Sequence, residues 1–206
     1  MTRRLMMTTV VALAIAAGVR GDDTKFLSTY RAPGLPPQNF SGQTVVALVI
    51  SDDMPLRMST EEAMSQQLTK HGVKGLAAYR VIPAPELKDP QKAKGWIQKA
   101  GATGVVVMRL VDIKQESGAP PVVWNTYPYN SFWDYYPYGW NSQIIIINAP
   151  DDTKVTVETV IYDLSKDRLL WSGTSESTNP KGARSLVEGI VDATADEMKK
   201  QGLVVK

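Results

Sequence analysis

The sequence predicts an α/β fold: a single mixed β-sheet with an antiparallel meander in its C-terminal half and about three packed helices. Two observations carry this. Strand-like and helix-like segments alternate as far as residue 113, the order that parallel pairing with crossover helices requires. After residue 142, strand-like segments follow one another directly before a final helix, the order of a meander. The chain has 206 residues and no cysteine, so an ordinary hydrophobic core must hold it together.

Residues 1–21 read MTRRLMMTTVVALAIAAGVRG. Arg3 and Arg4 precede a short apolar run, and small residues stand at the minus-three and minus-one positions of a cut before Asp22. This is the layout of a secretory signal peptide, and the run is too short to span a bilayer comfortably. The expected product is periplasmic or secreted, with no stable membrane insertion after cleavage. No cysteine follows the apolar run, so a lipid anchor is not expected. Arg3, Arg4 and Arg20 are three of the 23 basic residues, and the remaining 20 nearly balance 21 acidic ones. Nothing there suggests a nucleic-acid partner.

Residues 22–42 hold Pro33, Pro36, Pro37, Gly34 and Gly42 and read as a flexible, solvated leader. A single domain is expected over 43–206. Residues 44–50 (TVVALVI) carry no charge and suit a strand buried on both faces. A helix is expected from about Pro55 or Ser59 to His71. Ser59 and Glu62 have capping-box spacing, and Gly72 follows the helix end. Residues 76–82 form the weakest strand signal. Asp89-Pro90 is an N-cap followed by proline in the first helical position, and Ala93, Trp96, Ile97 and Ala100 recur at helical spacing up to Gly101. Residues 104–113 (GVVVMRLVDI) form a second buried strand. Residues 143–148, with four consecutive isoleucines, form another. Val155, Val157, Thr159 and Ile161 alternate with their neighbours, which predicts a strand with two distinct faces. Ser165-Lys166-Asp167 turns the chain into Leu169-Leu170-Trp171. Asn179-Pro180 opens a last helix with its apolar stripe at Ala183, Leu186, Val187, Ile190, Thr194 and Met198. Val106, Ile145, Ile161, Trp171, Leu186 and Ile190 are the expected core.

Residues 119–142 read APPVVWNTYPYNSFWDYYPYGWNS. Nine aromatics crowd this insert: Trp124, Tyr127, Tyr129, Phe132, Trp133, Tyr135, Tyr136, Tyr138 and Trp140. Four prolines preclude a long helix, and neither period 2 nor period 3.6 organises the rings. Two readings compete. In one, the insert is an exposed binding loop, since Tyr and Trp offer large amphipathic contact area at low entropic cost. In the other, its rings fold back onto the domain. The segment has no Lys or Arg, which leaves base stacking without phosphate contacts.

Catalytic signatures are few. His71 is the only histidine, so a His/Cys zinc site is unavailable, and its place at a helix end suggests a cap. No nucleophile elbow or phosphate-binding loop occurs. Asp52-Asp53 and Asp151-Asp152 are carboxylate pairs at strand ends. Turn and cap duty explains them better than acid–base or cation-binding chemistry. No cofactor is expected.

Residues 158–173 read ETVIYDLSKDRLLWSG. This strand–turn–strand resembles a pattern found in several bacterial envelope proteins, many of them lipoproteins. The run from Met54-Pro55-Leu56-Arg57 to Gly72, with Tyr79 and residues 100–107 (AGATGVVV), is similar to the earlier half of the same uncharacterised family. The layout is also similar to the curli-secretion lipoprotein, the lipoprotein activators of penicillin-binding proteins and the N-terminal domain of TolB. The resemblance implies a non-enzymatic binding or envelope-assembly protein, with an envelope protein or a cell-wall glycan as partner. It carries no catalytic residues. A glycan- or peptidoglycan-binding module is the first alternative, and a carboxylate-dependent hydrolase the second.

Overall fold

Uncharged, β-branched runs form the centre of the sheet, and amphipathic helices cover it on both sides. The computed structural model describes residues 23–114, 128–142 and 153–204. Its strands are β1 (Asp23–Arg31), β2 (Thr44–Ile50), β3 (Lys74–Ala77), β4 (Gly104–Lys114), β5 (Lys154–Asp163) and β6 (Arg168–Thr178). Its helices are α1 (Met54–Lys70), α2 (Pro90–Lys99), α3 (Phe132–Asn141) and α4 (Ala183–Lys200), with short 3₁₀ turns at Ala78–Arg80 and Ala84–Glu86. The strands lie in the order β1-β6-β5-β4-β2-β3. β3 and β4 flank β2 in parallel, and β4, β5, β6 and β1 follow antiparallel. This is the mixed α/β sheet that the sequence predicts.

Each face has its own core. Val45, Ala47, Val106, Met108, Val157 and Ile161 pack beneath Met64 and Leu68 of α1 and Ile190 and Val191 of α4. Val46, Leu48, Val105, Val107, Val160 and Tyr162 pack beneath Ala93 and Ile97 of α2 and Phe132 and Tyr136 of α3. β5 is therefore buried on both faces from Val155 to Tyr162, Thr156 and Glu158 included, and its two distinct faces pack into different cores. Val106, Ile161, Trp171 and Ile190 are buried as expected. Leu186 is only partly buried, and Ile145 lies outside the described residues with the expected strand over 143–148.

Five sequence expectations change. The weak strand signal over 76–82 becomes β3 at Lys74–Ala77 followed by a 3₁₀ turn, and the last helix begins at Ala183 after Gly182 and not at Asn179-Pro180. Residues 23–31, read as part of a solvated leader, form the edge strand β1; Ala32 and Leu35 after it are buried, and Gln38 bridges to Val204. Prolines and glycines are confined to 33–42, so they end this strand without preventing it. The helix after β2 starts at Met54, because Asp53 caps it by accepting from Leu56 N at 2.9 Å. Ser59 donates to Leu56 O and forms no capping box. Finally, the aromatic insert contains a fourth helix, α3. The expected start of α2 holds: Asp89 accepts from Gln91 N and Lys92 N, and Pro90 is the first helical residue. Among the described residues no helix is long and apolar enough to cross a membrane.

Trp171 is the largest fully buried side chain. Phe26 of β1 meets it edge-on at 5.4 Å between ring centroids, and Gly173 is required beside it because a methyl group there would strike the indole. Trp171→Ala should lower stability by about 3–5 kcal/mol, read as a shift of the urea midpoint at constant slope.

Candidate functional site

α3 shows what the aromatic insert does. Phe132, Tyr135, Tyr136, Gly139 and Trp140 are buried, at positions i, i+3, i+4, i+7 and i+8 of one helical face. Trp133 and Tyr138 flank that face half-buried, which is why the nine rings together hide the period. Ser131 caps the helix by accepting from Trp133 N at 3.1 Å. Pro137 sits on the exposed side and removes only one backbone donor. Tyr129 is half-buried, stacked on Tyr138 at 4.6 Å. Trp124 and Tyr127 lie outside the described residues. The buried rings of Phe132, Tyr135, Tyr136 and Trp140 therefore belong to the core and offer no adhesive surface. Of the candidate binding residues in the described part, Tyr129, Trp133 and Tyr138 keep some exposure.

Three polar anchors pin α3 to the sheet. Asp167, in the β5–β6 turn, accepts from Phe132 N at 2.9 Å and Ser131 Oγ at 2.6 Å, placing a carboxylate at the helix N-terminus. Tyr162 Oη donates to Tyr129 O at 3.0 Å. Beneath the helix, β4 and β5 place Arg109 directly opposite Glu158. Arg109 Nε donates to Glu158 at 2.9 Å and its Nη1 to Ser142 O at 3.1 Å, while Tyr135 Oη donates to Glu158 at 2.9 Å. The Tyr138 ring lies 5.3 Å from the guanidinium. Burial opposes the charge on Arg109, but Glu158 beside it raises its pKa above the usual arginine range. Burial, and then the Glu158 charge, raises the Tyr135 phenol well above its ordinary value.

A second buried carboxylate lies on the far side of β2 from Arg109, where β3 stops short. β3 stops at Ala77, opposite Ala47, so Val49 N has no strand partner on that side. Glu61 takes its place, accepting from Val49 N at 3.2 Å and Tyr79 N at 2.6 Å, with the Arg57 guanidinium 3.5 Å away. Burial pushes its pKa up to about 7, against the pull of Arg57 and the two backbone N–H groups.

The sequence-level carboxylate candidates have structural duties. Asp53 caps α1 and Asp52 pairs with Lys88 at 2.6 Å, while Asp151 and Asp152 lie outside the described residues. His71 is the C-cap residue of α1, and its ring meets Asp192 of α4 at 2.7 Å. Burial works against ionised Asp192, but hydrogen bonds from His71 and Gln67 hold its pKa below the usual carboxylate range. Among the described residues no group of three or more His, Asp and Glu could hold a metal ion.

The exposed side of α2 and α3 carries a different chemistry. Lys99 lies 4.6 Å from the Trp96 ring and Lys94 5.5 Å from Trp133, both within cation–π range. Trp96 is held by an indole hydrogen bond to Glu86 at 2.6 Å. Among the described residues no carboxylate pairs with Lys92, Lys94 or Lys99. The sequence gives Trp96 only as part of an apolar stripe; the lysines at 92, 94 and 99 were the available signal for this basic, aromatic face.

No protein-family model matches the chain, and no curated protein does. Solved structures resemble it at a distance. A leucine-to-methionine variant of the PelC dodecamer from Paraburkholderia phytofirmans is 15% identical, with a TM-score of 0.44 over 82% of this chain and 91% of that one. The PelC dodecamer in a second crystal form is also 15% identical, with a TM-score of 0.42 over 82% and 90%. Lipoprotein GNA1162 from Neisseria meningitidis is 14% identical, with a TM-score of 0.35 over 77% and 96%. Likenesses of this size assign no role.

Two outcomes test this geometry. Arg109→Met leaves Glu158 buried without its guanidinium partner and should cost about 3–5 kcal/mol; Arg109→Met with Glu158→Leu should recover most of that loss in the same urea titration. The Glu61 carboxyl has a folded pKa near 7 against 4.5 unfolded, so its protonated form suits the fold. Its contribution is fully present below pH 4.5 and lost as the pH rises through 7. Between pH 4.5 and 8 the native protein should lose about 3 kcal/mol more stability than Glu61→Gln does; parallel slopes for the two proteins would show that Glu61 is ionised throughout.

Proposed function

We propose that the chain is a non-enzymatic binding protein of the bacterial envelope, and that it holds an acidic glycan on the exposed face of α2 and α3. One observation carries this reading: two half-buried indoles, Trp96 and Trp133, stand among three lysines with no carboxylate partner. A tryptophan face suits the apolar face of a sugar ring, and unpaired ammonium groups suit sugar carboxylates. The signal-peptide layout of residues 1–21 supports export. The non-enzymatic part is supported by the engagement of both buried carboxylates, Glu61 and Glu158, in holding the sheet.

Affinity electrophoresis in alginate, a polyuronate, and in dextran, a neutral glucan, separates the outcomes. The protein should be retarded by alginate alone and should be retained on insoluble peptidoglycan. Trp133→Ala and the triple change Lys92→Gln, Lys94→Gln, Lys99→Gln should each abolish most of the retardation while leaving the melting transition cooperative. Equal mobility in all gels, or retardation insensitive to these changes, would sink the proposal.

A further inference from the structure

We propose that the groove between β1 and α4 binds an extended peptide with basic side chains at alternate positions, added to the sheet as a further strand on β1. This surface lies across the sheet from the α2/α3 face and is independent of it. β1 is an edge strand; among the described residues only β6 pairs with it, so no strand lies along its outer row of N–H and C=O groups.

α4 runs abreast of β1. Near one end a methyl group on Gly189 would stand 3.4 Å from Thr24 Oγ1, and near the other Gln201 Nε2 donates to Thr29 Oγ1 at 3.0 Å. Five strand residues advance about 16.5 Å and twelve helical residues about 18 Å, so the two elements keep pace. The groove between them has a volume of about 1110 Å³, with Phe26 and Ser28 on the strand side and Glu188, Asp192 and Asp196 on the helix side. These carboxylates stand at i, i+4 and i+8 and recur about every 6 Å. Alternate residues of an extended strand recur about every 6.6 Å. A peptide paired with β1 thus presents one side chain to each carboxylate.

The cations already present are exchangeable. Glu188 meets Arg184 at 3.1 Å, Asp192 meets His71 at 2.7 Å and Asp196 meets Lys199 at 3.3 Å. Pairs this exposed contribute little. Lys25, Lys181 and Lys200 also line the groove, and Lys25 and Lys200 are matched by Glu176 and Glu197. The occupant is a foreign peptide and not a second copy of β1. A second β1 would bring only Lys25 and Arg31, six residues apart, and not cations at alternate positions. Main-chain bonds then supply affinity, and the alternate cations supply register.

The test uses the exported chain and a fluorescein-labelled, amidated Lys-Thr-Lys-Val-Lys-Thr-Lys peptide read by anisotropy. Saturable binding is expected, at least tenfold weaker when every lysine is replaced by glutamate. Two N-methylated forms of the lysine peptide are decisive, one methylated at the lysines and one at the residues between them. Only one set of N–H groups faces β1, so one form should bind at least tenfold worse than the other. Glu188→Gln, Asp192→Asn and Asp196→Asn together should weaken binding about tenfold. Should that triple variant melt early, Glu188→Gln with Asp196→Asn, which touch only surface cations of α4, should still weaken it about threefold. Absence of saturable binding, equal binding of the two methylated forms, or indifference to the carboxylate variants would each overturn the proposal.

Discussion

A sheet covered on both faces leaves no water for the polar groups within it, and the molecule is arranged around that constraint. Arg109 and Glu158 face each other from β4 and β5 beneath α3, where each is tolerable only because the other is there. Once paired, they hold the helix that buries them, through Tyr135, Ser142 and the Tyr138 ring. Remove the helix and the pair is flooded; remove one partner and the helix sits on an unsatisfied charge. Glu61 solves the same problem on the β3 side of β2, where a four-residue strand runs out before its neighbour does.

The elements legible in the sequence were those whose period and punctuation agreed. β2 and β4 announce themselves by apolar runs rich in β-branched residues, α2 by Asp89-Pro90, and the β5–β6 hairpin by its turn. β1 was hidden by its neighbours, because the prolines and glycines of 33–42 colour the whole segment. α3 was hidden by surplus: with Trp133 and Tyr138 counted beside the buried face, the period of 132, 135, 136, 139 and 140 disappears. Ser131 followed by Asp134 was the helix-start signal available there. The buried ion pair was legible in principle, since a lone arginine in VVVMRLV and a lone glutamate in VTVETVI stand out in apolar strands. Their partnership was not, because it depends on the register across β4 and β5.

Net charge conceals how the surface is organised. The chain as a whole is close to neutral, at +2. Yet α2 displays lysines that no carboxylate among the described residues pairs, while α4 displays a carboxylate on successive turns toward β1. Because the sheet lies between these helices, the two charge patterns face opposite ways and do not cancel locally. Composition averages them to nothing.

β1 also has a meaning in time. Its Thr24 meets Ser177 of β6 across 153 residues of chain, so β1 is among the last strands to find its neighbour. Until β6 is in place Phe26 has no indole to cover, and one side of Trp171 stays bare. The outer edge of the sheet comes into existence only when the rest is finished. Anything that reads that edge reads completed folding.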